Sequence, residues 1–223
     1  TVRGRRAATG ASSALWRSKI GRDSMRLVEE TAVPSEALPG DAFKAHLRLG
    51  TGFSEDTLQE PVLESFLRAA MSAIEARTGK ILIERDFSWT LTAWRDETGQ
   101  ALPVAPVTAL EELVFVSRLG VETPLANSFY ALEQDMQRPR VKPVAGVLPA
   151  VPTGGVVRIG FRAGYGARWD SLPADLGQAV LLLAAYYYEY RNETSVGEGY
   201  MPFGVSSLIE RYRTVRLFAG SGQ

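Results

Sequence analysis

The fold is decided by residues 58–93, LQEPVLESFLRAAMSAIEARTGKILIERDFSWTLTA, in which the spacing of apolar residues changes from helical to strand-like. Before Gly79, apolar side chains recur every three or four residues. This predicts an amphipathic helix over 55–78 with Gly79 at its C-terminal cap. From Phe87 to Ala93 they alternate with Ser and Thr, as in a half-buried antiparallel strand. The change predicts an α+β protein.

The strand-like alternation recurs after this stretch. It predicts strands at Leu110–Val116, Phe129–Leu132 and Val157–Ala163. Residues 138–155 are dense in Pro and Gly and predict an irregular loop. We therefore expect one small antiparallel sheet, inserted at about residues 81–166 into a helical chain.

The helical part is expected to contain about four helices, including one at 35–49 and one at 172–192. The second of these is apolar on nearly every side, so it must be covered all round. Since a chain of 223 residues covers one face of a helix more easily than a whole cylinder, we expect a neighbouring subunit to contribute. The residues expected at that subunit interface are Leu183, Tyr187 and Tyr188.

Two terminal arms are expected to flank a central domain at 25–204, whose last part, 197–204, is a glycine-rich linker. The N-terminal arm, 1–24, carries a cluster of cations that could contact phosphate, dock on an acidic protein surface, or form only a disordered tail. The C-terminal arm, 205–223, contains an amphipathic segment whose aromatic residues between arginines favour a protein interface. The cations of the N-terminal arm are Arg3, Arg5, Arg6, Arg17, Lys19 and Arg22.

Composition argues against a catalytic protein. The chain has no cysteine and one histidine, His46, so it has no thiolate site and no site with two imidazoles. It also lacks the GxxxxGK[ST], HExxH and GxSxG motifs. Acidic residues occur as adjacent pairs such as Glu111-Glu112, whose side chains diverge and make poor metal clamps. We expect no enzyme activity, cofactor or metal.

Three further sequence features have ordinary explanations. Gly164-Tyr165-Gly166 lacks the third glycine of a nucleotide-binding loop, so a tight turn explains it better. The net charge of zero predicts no general attraction to nucleic acid. The longest apolar run, Ala179–Tyr188, is half the length of about 20 residues that a membrane-spanning helix needs, and we expect synthesis in the bacterial cytoplasm.

The order of these segments resembles the head–tail connector (adaptor) family of long-tailed phages and gene transfer agents. The resemblance covers Met25 to Phe218 and excludes the N-terminal arm. It rests on an ordered set of short motifs, none of them specific alone. They are Pro34-Ser35, Lys44-Ala45-His46-Leu47-Arg48, Glu75-Ala76-Arg77-Thr78-Gly79, Leu102-Pro103, Pro106-Val107, Val157–Gly166, Leu172-Pro173, Tyr188-Glu189-Tyr190-Arg191, Leu208 and Tyr212-Arg213.

The resemblance implies a structural subunit of a closed ring of about twelve copies at the head–tail junction of a phage-like particle. Its partners would be the portal above and a stopper or tail-completion protein below, with DNA passing non-specifically through the lumen. The sheet and its Pro-rich loop would face the next tail component. The alternative is a nucleic-acid-binding module that uses the N-terminal arm. The residues expected to contact the portal are Leu208, Arg211, Tyr212, Arg213, Arg216 and Phe218.

Overall fold

The computed structural model describes residues 25–48, 60–191 and 201–213. Within these ranges it confirms an α+β fold with four helices and antiparallel sheet. None of the helices in these three ranges is long and apolar enough to cross a membrane. The helices are α1 (Gly40–His46), α2 (Glu60–Thr78), α3 (Ala174–Glu189) and α4 (Phe203–Ile209). The strands are β1 (Met25–Glu29), β2 (Arg85–Leu91), β3 (Gln100–Ala101), β4 (Val107–Val116), β5 (Glu122–Pro124), β6 (Tyr130–Glu133), β7 (Arg140–Pro143) and β8 (Val156–Ala163).

The four helices share one apolar core. The apolar stripe of α2 packs against α3, and both are covered by Phe43 of α1 and by Val205 and Ile209 of α4, all fully buried or nearly so. The chain therefore buries much of α3 by itself, although Leu181 and Leu182 remain half-buried. This is more intramolecular cover than the sequence led us to expect.

The sheet forms a second core. Its five strands are antiparallel, in the order β1-β2-β8-β4-β5, and one face presents the alternating apolar residues of β2 and β8. There, Phe87 stacks on Phe161 with ring centroids 5.7 Å apart. A separate three-stranded sheet, β3-β7-β6, covers this face with Val141 and other buried side chains. One small sheet was predicted, and two are present.

Several predicted boundaries are wrong for identifiable reasons. The expected helix at 35–49 is split into a 3₁₀ turn (Ser35–Ala37) and α1, because Pro39 between them has no N–H for a continuous helix. Strand β7 lies in the predicted irregular loop, and its proline, Pro143, occupies the strand's last position. Strand β1 joins the sheet from outside the expected insertion. Helix α4 begins at Phe203, inside the expected linker.

A buried ion pair joins the helical core to the sheet. Arg85 of β2 donates to Glu75 of α2 at 2.7 Å and to Glu29 of β1 at 3.2 Å. The other oxygen of Glu75 accepts the backbone N–H of Leu82 at 2.8 Å. Burial raises the pKa of Glu75, although Arg85 opposes that shift. These contacts fix the position of the C-terminal end of α2 relative to β2, the strand that follows it.

Candidate interaction surfaces

The first candidate surface lies where α2 meets the end of α3. Val62 is 48% exposed and lines a shallow depression with Leu63, Tyr188 and Arg191. The Tyr188 ring makes an edge contact with Phe66, with centroids 5.9 Å apart. The guanidinium of Arg191 lies over the Tyr188 ring, 4.7 Å from its centroid. We call Val62, Phe66, Tyr188 and Arg191 the α2–α3 face; such an apolar strip with a charged edge suits a protein partner.

The three residues expected at the subunit interface differ in burial. Leu183 is 0% exposed within the chain itself, so it has no surface to offer a neighbour and this part of the prediction is wrong. Tyr187 and Tyr188 are half-buried. Burial raises the pKa of Tyr187. The sequence showed that α3 is apolar all round, but it could not show which side the chain's own helices would cover.

The outer face of the five-stranded sheet is charged. Arg162 of β8 pairs with Asp86 of β2 at 2.9 Å and with Glu111 of β4 at 3.4 Å. Arg158 pairs with Glu112 of β4 at 3.5 Å and with Glu122 of β5 at 3.1 Å. On the central strand β8, Arg162 thus binds carboxylates on both sides and Arg158 binds two on the β4–β5 side, so Glu111 and Glu112 are surface ion-pair partners.

The far end of the sheet exposes apolar residues. At the tip of the β4–β5 hairpin, Leu119 is 84% exposed and Val121 is also exposed. In the segment after β7, Val144 is exposed beside Phe129, whose carbonyl accepts the Val144 N–H at 3.0 Å. The end of that segment reaches the hairpin, because Gly154 lies against the side chain of Arg118. Exposed apolar residues of this kind suit contact with another protein.

The C-terminal segment, described as far as Arg213, is a further candidate surface. Tyr212 is only 7% exposed, and its hydroxyl donates to the Asp175 carboxylate at 2.6 Å. Arg211 pairs with the other oxygen of Asp175 at 2.8 Å, and its guanidinium lies over the Tyr212 ring. Tyr165 lies close by; burial, with Tyr212 and Asp175 adding to it, raises the pKa of Tyr165 to about 12. We call Tyr165, Asp175, Arg211 and Tyr212 the anchor cluster.

The residues expected to contact the portal therefore differ in how accessible they are. Tyr212 is buried against its own chain, which contradicts a role as an exposed partner anchor. Arg211 and Arg213 are exposed, and Arg213 pairs with Glu210 at 3.0 Å. Leu208 is half-buried against the helical core. Arg216 and Phe218 lie outside the described residues, as do the six cations of the N-terminal arm, Arg3, Arg5, Arg6, Arg17, Lys19 and Arg22.

The described ranges contain no group of three or more His, Asp or Glu side chains placed to hold a metal ion. The Gly164-Tyr165-Gly166 motif is a close-packed bend in which Gly164 has a φ of 143°. A Cβ at Gly164 would lie 2.4 Å from the Cα of Glu84. The bend places Tyr165 beside the other residues of the anchor cluster. Both glycines are needed for close packing, because a Cβ at either position would collide with a neighbouring residue.

Asp175 is the main residue that sequence reasoning missed. Its position after Leu172-Pro173 is typical of the first turn of a helix, and its carboxylate does accept the N–H of Leu176 at 3.0 Å. Nothing in the sequence indicates that its partners come from 36 and 37 residues further on.

This chain is similar to solved structures of gene transfer agent particles, of which three are compared. The neck of an empty gene transfer agent (GTA) particle, computed with C6 symmetry, matches with a TM-score of 0.80 and 53% identity. The virion of a native GTA particle matches with 0.76 and 52%, and the neck of a native GTA particle, computed with C12 symmetry, with 0.75 and 49%. Each match covers 87% of this chain and 98% of the other chain. No protein-family model matches, and no curated protein gives a significant match.

Proposed function

Because this chain belongs to the head–tail connector (adaptor) family of gene transfer agent necks, we propose that it is the ring subunit that joins the portal to the stopper or tail-completion protein. The chain is a structural component of the neck, at the head–tail junction of the particle. The observation that carries the proposal is an identity of 49–53% over nearly the whole length of the neck proteins.

The ring would be closed by contacts between different faces of neighbouring copies, as in any cyclic assembly. Relatives solved with C6 and C12 symmetry support this arrangement and a number of copies near twelve. The α2–α3 face is the strongest candidate for one side of the contact, since Val62 and Tyr188 are accessible apolar side chains next to the charge of Arg191. Tyr187, half-buried on the same helix, would extend it.

The portal would be reached by the C-terminal arm. Arg216 and Phe218 are the expected contacts, with exposed Arg213 and half-buried Leu208 near its base. The hairpin tip at Leu119 and the segment around Val144 would meet the next tail component, because both expose apolar side chains. DNA would pass through the lumen with at most non-specific phosphate contacts.

A charge placed on the α2–α3 face is expected to prevent ring closure. Val62→Glu would bury a carboxylate against an apolar partner, whereas Ser72→Glu adds the same charge about 15 Å further along the helix. Both positions are exposed in the isolated chain, so both variants should melt like the wild type. We expect electron microscopy of portal mixtures to show complete rings for Ser72→Glu and few or none for Val62→Glu.

Complete rings of Val62→Glu would remove the α2–α3 face from the ring contact. They would leave membership of the neck untouched, because that conclusion rests on the similarity of the whole chain.

A further inference from the structure

The C-terminal segment up to Tyr212 belongs to the body of the protein. Val205 and Ile209 of α4 and the ring of Tyr212 are buried in the same core as α2 and α3. We therefore take the portal-binding arm to be the residues that follow Arg213 in the sequence, 214–223. The cationic and aromatic residues expected to bind the portal beyond this point are Arg216 and Phe218.

The end of the segment is held by more than apolar packing. α4 has only seven residues, and the 3₁₀ turn that follows it, Glu210–Tyr212, would fray without further contacts. Asp175 provides them, because one carboxylate oxygen accepts the Tyr212 hydroxyl and the other accepts Arg211. Arg211 also donates to the Tyr212 hydroxyl, so the three side chains form a closed set of hydrogen bonds.

Asp175 is itself fixed on two sides. It lies in the first turn of α3 and accepts the Leu176 N–H, and Tyr165 lies beside it at the end of the bend that follows β8. That bend is packed against the strand entrance at Glu84 so closely that Gly164 has no room for a Cβ. The cluster therefore ties the base of the arm to both the sheet and the helical core.

We propose, building on the portal-joining function above, that the anchor cluster fixes the position of the chain at Arg211–Tyr212, just before the portal-binding arm, with Asp175 as the positioning residue. A fixed base lowers the conformational entropy that the arm loses when it binds. If the base frayed, residues 201–213 would no longer be held on the body and the arm would bind more weakly.

The test uses Asp175→Asn and Tyr212→Phe in the full chain, since both keep the shape of the side chain and the apolar packing. Arg213→Gln is the matched control for hydrogen exchange, because Arg213 pairs with nearby Glu210 and lies outside the anchor cluster. A chain ending at Arg213 serves as the arm-free reference. Two readouts are needed: amide hydrogen exchange of residues 203–213, and affinity for the purified portal ring.

We expect both cluster variants to exchange at least about tenfold faster in 203–213 with α2 unchanged, and to bind the portal about tenfold more weakly. Arg213→Gln should match the wild type in exchange. Unchanged exchange in both cluster variants would overturn the inference whatever the portal does. Faster exchange with unchanged affinity would overturn the positioning role alone. Equal portal binding by the wild type and the arm-free chain would remove the arm from the portal contact, and with it this proposal. No portal binding by the wild type would remove the portal-joining function itself.

Discussion

Replacement of Leu183 by alanine is expected to lower the free energy of unfolding of the isolated chain by about 2–5 kcal/mol. Leu183 is fully buried in the helical core, so the shorter side chain leaves a cavity that the surrounding helices fill only in part. Leu182→Ala is the matched control. It removes the same atoms from the next residue, which is only half-buried, and should cost clearly less. Urea unfolding of the two variants measures the difference.

A different result would place Leu183 at the subunit interface after all. In that case the isolated Leu183→Ala chain would be as stable as the wild type but would no longer form rings with the portal. It would mean that the side chain is covered by a neighbour and not by α2 and α4.

Gly164→Ala is expected to destabilise the chain by about 3 kcal/mol or more. The added Cβ would lie 2.4 Å from the Glu84 Cα and 2.5 Å from its backbone nitrogen, atoms that cannot move without shifting the strand entrance. The φ of 143° adds backbone strain for any side chain. Thermal unfolding followed by circular dichroism measures the loss.

Gly204→Ala is the control for this variant. Gly204 lies in α4 with open space around its Cβ position, so alanine should be neutral or stabilise the helix by up to about 1 kcal/mol. A Gly164→Ala chain that melts with the wild type would show that the bend after β8 adapts easily. The anchor cluster would then lack a rigid support on the side of Tyr165.

The sequence predicted the parts of the fold that depend on local periodicity. The helical stripe ending at Gly79 became α2, and the alternation at Phe87–Ala93 and Val157–Ala163 became the paired strands β2 and β8. Strand β1 was not predicted, because an edge strand shows little apolar alternation. It has only five residues, and they include Arg26 and Glu29. β7 was not predicted because Pro139 precedes it, Pro143 ends it and a segment rich in Pro and Gly follows it.

The interaction surfaces were less predictable, because they depend on which side of an apolar element the chain itself covers. Leu183 and Tyr188 are five residues apart on α3, yet one is in the core and the other on the α2–α3 face. The position of Tyr212 between two arginines predicts a contact with a partner protein. Its actual partner, Asp175, is 37 residues away in sequence, and only the tertiary fold brings the two together.

The most direct test of the connector function is the mass of the purified protein, alone and mixed with the purified portal, measured by light scattering. The proposal predicts a ring, or a monomer that joins the portal ring in a complex near twelve copies and loses this ability when residues 214–223 are removed. A monomer that ignores the portal but is retained on DNA at moderate salt would contradict it. That result would instead support a nucleic-acid-binding module based on the basic residues of 1–24.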